Sequence, residues 1–417
     1  MATNLQHTRR EPQLVSSTRP VAAVDPIEVF AAAAGEATRG LWLRPSSGEA
    51  LVGTGRASTL THDMAQAWRA LVADAAIDGP VDPLLLGSLR FDAEATPTAL
   101  WSGFGSAARM VLPERLWRIE PGAATLTTNR VTQPDWLSED RPLSPPRLGL
   151  SPERWRTLVR EVASGIKTGE LGVRKVVLAR TQQVRARAPL ETVLRRLAAT
   201  YPTCTIFAIG MGDACFVGAT PERLVALHNG TATTMALAGS GPRGATPERD
   251  AQLAESLLHD PKERTEHAVV VEALREDLSP FSTRVIAHAE PRIHTLPNLH
   301  HLITPIRAQV RPGFGVLDLV TGLHPTPAVG GYPRANAMAV IREREELDRG
   351  WYAAPLGWVD ARGQGEFVVG LRSALLRDGT ATLFAGCGIV GDSDPETEYA
   401  ELGWKLRPML AAVGAEA

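Results

Sequence analysis

The chain has 417 residues, of which 44% are hydrophobic, and it carries a formal charge of −2 at pH 7. This length fits either two or three domain-sized units or one large mixed domain, and the apolar content is sufficient for a large core. A charge so close to zero excludes the broad basic face that nucleic acids and anionic membranes require. We therefore expect neither as a partner.

Cysteine usage and hydropathy indicate the cellular compartment. Cys204, Cys215 and Cys387 show no CxxC spacing and cannot all pair with one another, which is typical of a reduced protein. The polar, arginine-containing start of the chain does not look like a secretion signal. No segment approaches the roughly 18 uninterrupted apolar residues of a membrane span. The sequence predicts a cytoplasmic protein that does not cross a membrane.

Composition divides the chain into three parts. Residues 1–20 are polar and predict a disordered arm. Residues 21–150 mix short apolar runs with Gly and Pro, and they end in a proline-rich stretch, Pro134–Pro152, that is typical of a linker. Residues 151–412 are denser in recognisable elements, beginning with a helix predicted over residues 153–168.

The next element is a strand that carries a lysine at its start. Lys175–Gln183 reads as a strand, with Lys175 and Val177 on one face. A lysine on a half-buried face can lose its proton through desolvation and act as a base. The alternative is an edge-strand lysine with its amine in water, which natural sheets often use.

A hairpin follows, and an acidic residue lies just beyond it. Thr205–Ile209 and Cys215–Ala219 flank a Gly-Asp turn and predict two paired strands. Glu222 stands at the end of the second strand, where a carboxyl group with a raised pKa could act as a general acid. Equally, it could be an ordinary turn acid that pairs with Arg223.

The glycine-rich segment Leu237–Gly244 could offer backbone N–H groups to an anion. It matches neither a P-loop nor a dinucleotide-binding fingerprint, so a nucleotide site is not indicated, and a plain turn is the alternative. Further along, His301 has no HExxH partner, and the ten histidines of the chain lack metal-ligand spacing. This pattern argues against zinc and favours a structural histidine.

Two strands are predicted near the end of the chain. Glu366–Leu376 and Thr380–Val390 surround Asp378-Gly379, which is a strong hairpin signal. With a two-residue loop, Arg372 would lie opposite Ala385 and within reach of Gly388.

Two helices have clear start signals and carry paired acids. One begins at Asp260-Pro261 and the other at Asp394-Pro395, with Asp suited to the N-cap and Pro to the first helical position. In each helix two glutamates follow one turn apart, and such a pair of faces could hold a hard cation through oxygen ligands. Acids at this spacing are equally common on solvated helix faces. The paired glutamates are Glu263 with Glu266 and Glu398 with Glu401.

Taken together and in order, these segments resemble the chorismate-utilising enzyme family, with the match covering roughly residues 150–410. Each motif is weak alone, but nine in one order are very specific. The first motifs are Lys175-Val-Val-Leu-Ala-Arg180, Gly218-Ala-Thr-Pro-Glu222, Leu237-Ala-Gly-Ser240, Lys262-Glu263-x-x-Glu266-His267 and His301-Leu. The remaining motifs are His324-Pro-Thr-Pro-Ala328-Val-Gly-Gly331, Gly365-Glu366 with Arg372, Ala385-Gly386-Cys-Gly388-Ile-Val390 and Glu398-x-x-Glu401-x-x-x-Lys405.

The resemblance implies a role for each residue of the site. It implies Mg²⁺ held by Glu266 and Glu401, with Glu263 and Glu398 nearby through water, and the ring carboxylate of chorismate bound to the metal. It implies Lys175 as the base that activates water for attack at C2, and Glu222 as the acid that protonates the departing C4 hydroxyl. The enolpyruvyl carboxylate would be held by Arg372, Tyr352, Lys405 and the backbone at Gly388, while Gly239 and His301 would line the ring end.

Within the family, single residues favour one reaction. Ala238 stands where the aminodeoxychorismate synthases carry a nucleophilic lysine, and ammonia-using members generally lack the lysine found here at 175. Both features point to water as the nucleophile. Ala328 resembles the isochorismate synthases, whereas salicylate and anthranilate producers tend to have threonine there. The segment Ser240-Gly241-Pro242 and Ala354 depart from the usual family pattern near the expected substrate loops.

The resemblance also implies the fold: an α/β (α+β) chain forming a single large domain of two stacked antiparallel β-sheets with helices packed outside, as in anthranilate synthase component I. Residues 21–150 would form a subdomain contributing to the same core. We expect an isochorismate synthase that needs no glutamine amidotransferase subunit and is a monomer. The alternatives are a salicylate synthase, which also eliminates pyruvate, and a catalytically silent chorismate-binding protein.

Overall fold

The computed structural model describes residues 13–105, 108–132 and 143–415. The described part of the chain up to residue 132 contains nine strands. They are β1 (Gln13–Val21), β2 (Thr38–Arg44), β3 (Glu49–Thr54), β4 (Ser58–Leu60), β5 (Ala76–Asp78), β6 (Leu84–Ser88), β7 (Arg109–Leu112), β8 (Arg115–Glu120) and β9 (Ala123–Thr132).

The remaining strands lie between residues 175 and 389. They are β10 (Lys175–Arg185), β11 (Thr205–Met211), β12 (Ala214–Thr220), β13 (Arg223–His228), β14 (Thr231–Pro242), β15 (Ser282–Ala287), β16 (Arg292–Thr295), β17 (Leu299–Val310), β18 (Gly331–Tyr332), β19 (Pro355–Asp360), β20 (Gly365–Val369), β21 (Ser373–Arg377) and β22 (Thr380–Ile389).

Several α-helices connect these strands, and many begin with proline at the first helical position. They are α1 (Pro26–Ala32), α2 (Met64–Ala73), α3 (Pro152–Lys167), α4 (Leu190–Thr200), α5 (Pro247–His259), α6 (Pro261–Leu278), α7 (Val316–Leu323), α8 (Arg334–Arg344) and α9 (Pro395–Val413). The helix predicted over residues 153–168, the strand starting at Lys175, the hairpin of β11 and β12, and both Asp-Pro helix starts are confirmed.

The strands form two large sheets. Within the described residues, one sheet has 12 strands in the order β18-β10-β22-β21-β12-β11-β2-β3-β8-β9-β1-β5. The other has 10 strands in the order β15-β17-β14-β13-β20-β19-β6-β7-β4, with β16 beside β17. Neighbouring strands are antiparallel apart from the pair β1 and β5. Strands from the first 132 residues lie in both sheets.

The two sheets pack face to face over one core. Leu86 of β6 lies so close to β2 that a Cβ added to Gly40 would come 2.3 Å from its Cδ2 atom, so a larger residue at position 40 would displace the Leu86 side chain. Helices cover the outer faces: α3, α4, α8 and α9 contact the larger sheet, and α6 and α7 contact the smaller one. The predicted architecture of two stacked antiparallel sheets with external helices is confirmed.

The predicted disordered arm is wrong from residue 13 onward, because Gln13–Val21 is strand β1, paired along its length with β9. The segment is polar in composition, and this is why the strand was not predicted. In the structure Leu14 and Ser16 are buried and their neighbours are exposed. Residues 1–12 lie outside the described residues. So does much of the predicted linker, although Ser144 and Leu148 form bridges with Thr98 and Leu347.

The predicted single strand Glu366–Leu376 is also wrong. It is two strands in different sheets, β20 in the smaller and β21 in the larger. The chain crosses between the layers at Gly370, where a Cβ would come 2.8 Å from the carbonyl oxygen of Trp351, and at Arg372, whose φ is +49°. The pairing of β21 with β22 starts at Ser373. Arg372 therefore lies just before the paired residues and not among them as expected.

Candidate functional site

A deep cleft lies between α6, α9 and the ends of β10, β14 and β22. It encloses about 910 Å³ of space between the atoms, open solvent at the mouth included. All the residues assigned to the site from the sequence line this cleft. They are Lys175, Glu222, Gly239, Glu263, Glu266, His301, Ala328, Tyr352, Arg372, Gly388, Glu398, Glu401 and Lys405.

The acidic side of the cleft is built by the first turns of two helices. Asp260 caps α6 by accepting from the Glu263 N–H at 2.9 Å, and Asp394 caps α9 by accepting from the Thr397 N–H at 2.9 Å. These caps fix where each helix starts, so the glutamates that follow are turned toward the same space. The Glu263 side chain does not close a capping box, because its Oε2 accepts from the Ser240 N–H at 3.0 Å.

Lysines pair with three of the four glutamates. The alternative in which these acids form a solvated face is therefore wrong, because their side chains are partly or fully buried. The pairs are Lys175 Nζ with Glu266 Oε1 at 2.6 Å, Lys405 Nζ with Glu401 Oε1 at 2.5 Å, and Lys262 Nζ with Glu398 Oε1 at 3.8 Å.

Crowding of the carboxylates changes their protonation. Burial, reinforced by repulsion from Glu266, raises the pKa of Glu263 to about 7. Burial and the charge of Glu401 likewise raise the pKa of Glu398. For Glu266, burial opposes ionisation, but the adjacent Lys175 ammonium more than offsets it and the pKa is lowered. An additional cation at this end of the cleft would relieve the repulsion between the glutamate carboxylates.

The donor set is compatible with a hard divalent cation. Carboxylate oxygens are the ligands that Mg²⁺ prefers, and Mg²⁺ is commonly held by one or two carboxylates, with waters and substrate oxygens completing the shell. No group of three or more His, Cys, Asp or Glu side chains among the described residues forms a ready-made metal cage. The arrangement therefore fits a metal that shares its shell with water and substrate, not a closed structural site.

Lys175 is buried at the start of β10, with 3% of its surface exposed. The solvated edge-strand alternative is therefore wrong. Its side chain lies against β22, where a Cβ on Gly388 would come 2.5 Å from Lys175 Cε and 2.9 Å from Glu266 Oε1. The ion pair of Lys175 with Glu266 therefore needs the space that glycine leaves at position 388.

Glu222 lies just beyond β12 and is also buried. Desolvation raises its pKa to about 7, although the nearby charges of Lys175, Arg372 and Lys405 act in the opposite direction. The alternative pairing with Arg223 is wrong, because Arg223 Nε donates to Glu366 Oε1 at 3.0 Å. A carboxyl group with this pKa can hold a proton near neutral pH and donate it.

Basic groups form the other end of the cleft. Arg372 Nη2 donates to His301 Nε2 at 3.2 Å, while Arg372 Nη1 is buried with no hydrogen-bond partner among the described residues. Lys405 Nζ also donates to the Gly386 carbonyl at 2.9 Å. Tyr352 stacks on Phe384 beside them, with ring centroids 5.2 Å apart. An unpartnered guanidinium N–H in a cleft is suited to a carboxylate of the ligand.

The glycine-rich segment is not a turn but the end of strand β14. Two residues, Ala238 and Gly239, oppose the single Leu302 of β17, which makes a β-bulge. Gly239 has φ +83°, a conformation that glycine adopts without strain. The bulge brings Ser240 opposite His301, whose pKa lies well below its usual value because of burial and the charges of Arg372 and Lys405.

Two charged residues of the cleft lining, Lys262 and Arg349, were not assigned a role from the sequence. Lys262 lines the cleft, and the charges of all four glutamates raise its pKa against the opposing effect of burial. A lysine in the first turn of a helix is electrostatically unfavourable, and this is the signal that could have found it. Arg349 lies beneath the floor and donates to the Val177 and Val329 carbonyls at 2.7 and 2.8 Å. In the sequence, the spacing between Glu345 and Arg349 is that of an ordinary surface ion pair, so it did not single out Arg349.

Comparison with known proteins identifies the family. The model of the family described as chorismate binding enzyme matches residues 1–142 and 138–414. The chain belongs to the chorismate binding enzyme family. Among curated relatives of this chorismate binding enzyme, the salicylate biosynthesis isochorismate synthase of Pseudomonas aeruginosa is 40% identical, and the alignment covers 97% of this chain and 91% of that protein.

Solved structures agree with this assignment. The menaquinone-specific isochorismate synthase MenF from Escherichia coli superposes on this chorismate binding enzyme with a TM-score of 0.79 and 26% identity, covering 96% of this chain and 95% of that one. Anthranilate synthase component I from Streptococcus pneumoniae superposes with a TM-score of 0.71 at 20% identity, over 87% of this chain and 92% of that one. The latter likeness shows the shared fold alone.

Proposed function

We propose that this protein is an isochorismate synthase, which converts chorismate to isochorismate by adding water at C2 with loss of the C4 hydroxyl. The observation that carries the proposal is that one cleft contains both a buried lysine, Lys175, and a buried, protonatable carboxyl group, Glu222. A relative that is 40% identical over 97% of the chain is named an isochorismate synthase.

The reaction requires one group that takes a proton and one that gives it. Lys175, an ammonium in its pair with Glu266, first gives a proton to solvent, and its neutral Nζ then accepts a proton from the water whose oxygen bonds to C2. The ring double bonds shift, and the bond from C4 to its hydroxyl oxygen breaks. Glu222 gives its proton to that oxygen, which leaves as water. One water enters and one leaves, so the net change is an isomerisation.

The substrate is a dianion, and the cleft carries charges suited to both of its carboxylates. Arg372 has an unpartnered Nη1, and Lys405 and Tyr352 lie beside it. We assign these three, with the Gly388 backbone, to the enolpyruvyl carboxylate. Gly239 and His301 line the ring end. A bidentate or charge-assisted contact to arginine is both strong and directional, and it would orient the ring between base and acid.

Mg²⁺ is proposed at the acidic side, held by Glu266 and Glu401 with Glu263 and Glu398 nearby. When bound, it would supply positive charge that balances the ring carboxylate. The support is the burial of these carboxylates together with their mutual repulsion, which raise the pKa of Glu263 and Glu398.

Water is favoured as the nucleophile, and the reaction is proposed to stop at isochorismate. Ala238 lines the cleft and offers no amine for covalent attack on the ring. Ala328 lines the cleft as a small apolar residue with no hydroxyl to assist a later step. Salicylate synthase, the alternative, would release pyruvate in addition.

The test is a product assay with chorismate, run with Mg²⁺ and with EDTA. We expect isochorismate without pyruvate, and no product after chelation. Stoichiometric salicylate and pyruvate without added lyase would reject the proposed stopping point. No turnover under any metal condition would favour the silent chorismate-binding alternative.

A matched pair of variants tests the base. Lys175→Ala should abolish turnover, whereas Lys167→Ala should not, because Lys167 is an exposed residue whose ammonium pairs with the exposed Asp392. Near-full turnover of Lys175→Ala would overturn the mechanism.

Assembly and location remain predictions. No described helix has both the length and the apolar character to cross a bilayer. We propose a cytoplasmic enzyme that acts as a monomer without an amidotransferase subunit. The three described cysteines are free and buried, which supports a reducing compartment. Size-exclusion chromatography with light scattering measures the oligomeric state.

A further inference from the structure

We propose that the hydroxyl group of Ser240 is a positioning group: it anchors the protonated Nδ1 of His301 so that Nε2 stays turned toward Arg372, and through that ring it holds Arg372 for the substrate carboxylate. The part concerning the carboxylate rests on the function proposed above. The part concerning the histidine rests on geometry alone and can be measured without substrate.

The bulge in β14 creates the contact. Because Ala238 and Gly239 together oppose only Leu302, the strands return to register with Ser240 directly opposite His301. Directly opposed residues on antiparallel strands bring their side chains within hydrogen-bonding distance. Ser240 Oγ lies 2.9 Å from His301 Nδ1. Without the bulge, the register would place a different residue opposite the ring.

The neighbours of His301 determine its tautomer. The ring is neutral, because burial and the charges of Arg372 and Lys405 lower its pKa well below the usual value. A neutral imidazole has one N–H donor and one bare acceptor nitrogen. Arg372 can only donate, and its Nη2 lies 3.2 Å from Nε2. Nε2 is therefore the acceptor, and the proton lies on Nδ1.

The Nδ1 proton has two acceptors within reach. Ser240 Oγ is at 2.9 Å and the Gly239 carbonyl oxygen is at 3.3 Å. The shorter contact is the stronger one, so the hydroxyl group is the main anchor of the ring. With Nδ1–H anchored, Nε2 stays aimed at Arg372. The charged groups facing the ring, Arg372 and Lys405, both favour this neutral arrangement.

A second buried histidine nearby is held differently. His267 Nδ1 lies 3.0 Å from the Ala238 carbonyl oxygen, and its Nε2 lies 2.7 Å from Thr304 Oγ1. Since a carbonyl only accepts, the proton of His267 is fixed on Nδ1 by the backbone, and the Thr304 hydroxyl merely donates. Removing that hydroxyl group would leave the tautomer of His267 unchanged. His301 lacks such a close backbone acceptor, which is why its hydroxyl partner matters.

Loss of Ser240 Oγ should therefore loosen Arg372 without touching the proposed acid or base. Arg372 Nη1 has no partner among the described residues, so Nη2 and its histidine contact orient the guanidinium. A less ordered guanidinium weakens binding of substrate and transition state alike, which raises KM more than it lowers kcat. The Ser240 N–H to Glu263 is a backbone contact and survives the substitution.

The experiment compares Ser240→Ala, Ser240→Thr and Thr304→Val. Protein labelled with ¹⁵N only at histidine is studied by long-range ¹⁵N–¹H correlation, with the His301 signals assigned by their loss in His301→Asn. We expect the native chain and Ser240→Thr to show the proton on Nδ1. Ser240→Ala should show mixed tautomers, and Thr304→Val should leave both His267 and His301 unchanged.

Kinetics provide the second readout. Ser240→Ala should raise KM about tenfold with kcat changed less than about threefold, as expected for loss of one charge-linked hydrogen bond. Ser240→Thr should restore KM because it keeps the hydroxyl group.

An unchanged His301 tautomer in Ser240→Ala would overturn the proposal, as would failure of a folded Ser240→Thr to restore the tautomer. If Ser240→Ala does not fold, Ser240→Cys replaces the hydroxyl group with a weak partner and the same tautomer mixture is expected. If the native chain shows no isochorismate formation, the proposed function fails while the tautomer result still stands.

Discussion

Glu222 combines complete burial with nearby positive charge, and the two have opposite effects on its proton. Burial disfavours the carboxylate, while Lys175, Arg372 and Lys405 favour it, and the balance leaves a pKa of about 7. A group poised there can act as an acid at neutral pH, and it becomes ionised when the pH rises further. The reactivity of the cleft should therefore depend on pH in a predictable direction.

The proposed acid must be protonated in the free enzyme. We therefore expect kcat/KM to fall as pH rises through about 7, and Glu222→Gln to lose roughly 10²–10⁴-fold in kcat. The measurement is a pH series of initial rates for the native chain. A native profile that stays flat between pH 6 and pH 9 would contradict the assignment.

Gly388 makes room for the Lys175–Glu266 pair. A Cβ there would come 2.5 Å from Lys175 Cε, so Gly388→Ala should displace the lysine and lower kcat on the order of 100-fold. Steady-state kinetics and thermal unfolding separate loss of activity from loss of fold.

The matched control is Gly403→Ala on α9, where an added Cβ meets nothing within 4 Å. That change should keep activity and stabilise the helix by about 0.5–1 kcal/mol. Equal kinetics for the two variants would show that position 388 has no steric role.

For single residues, the sequence predicted which side chains line the cleft but not which of them pair with one another. Motif order placed Lys175 and Glu266 in one site, yet the lysine–glutamate pairing depends on the spacing of α6 from β10, which no local pattern encodes. The same is true of Ser240, which was noted only as a departure although it contacts His301.

Helix starts were the most predictable elements. Asp260 and Asp394 both cap helices as expected, because an N-cap aspartate followed by proline is a local signal that needs no tertiary information. The division of residues 366–376 between two sheets was not predictable. The change of layer coincides with the close approach of Gly370 to the Trp351 carbonyl, a tertiary contact that no local pattern reports.

The cap of α6 should affect both stability and metal use. Asp260→Ala removes the acceptor of the Glu263 N–H, which should cost about 1 kcal/mol and disorder the turn that carries Glu263 and Glu266. We expect the Mg²⁺ concentration for half-maximal activity to increase. Chemical unfolding and a Mg²⁺ titration of turnover measure the two effects.

Thr246→Ala is the matched control, since Thr246 caps α5, which contributes no residue to the cleft. It should lose similar stability and leave the Mg²⁺ dependence unchanged. A parallel shift in both variants would mean that the effect is only global destabilisation.

Across the whole molecule, the two halves of the sequence form one structure. In the larger sheet β2 pairs with β11, and in the smaller sheet β6 pairs with β19. Trp101, from the first half, stacks on Phe384 of β22. The shared core was inferred from family resemblance. The strand order was not, because pairings between distant segments depend on packing that no short pattern reports.

Separate expression of residues 143–417 should therefore yield insoluble or unfolded protein, because β11 would lose its partner β2, β19 would lose its partner β6, and both would become exposed edges. Co-expression with residues 1–142 should restore soluble, active protein, because both sheets can then be completed. Circular dichroism and the product assay measure the outcome. A stable, active 143–417 fragment would contradict this account.

The passage of the chain from one sheet to the other at Arg372 has a mechanical consequence. The Arg372 carbonyl oxygen accepts from the Ala219 N–H of the larger sheet, while two residues earlier Gly370 N–H donates to Ala354, next to the smaller sheet. The backbone that carries Arg372 is thus tethered to both layers, and we expect the position of its side chain to change with the thickness of the sandwich. Hydrostatic pressure, which acts on packing voids between such layers, would therefore change substrate affinity at loads far below those that unfold the protein.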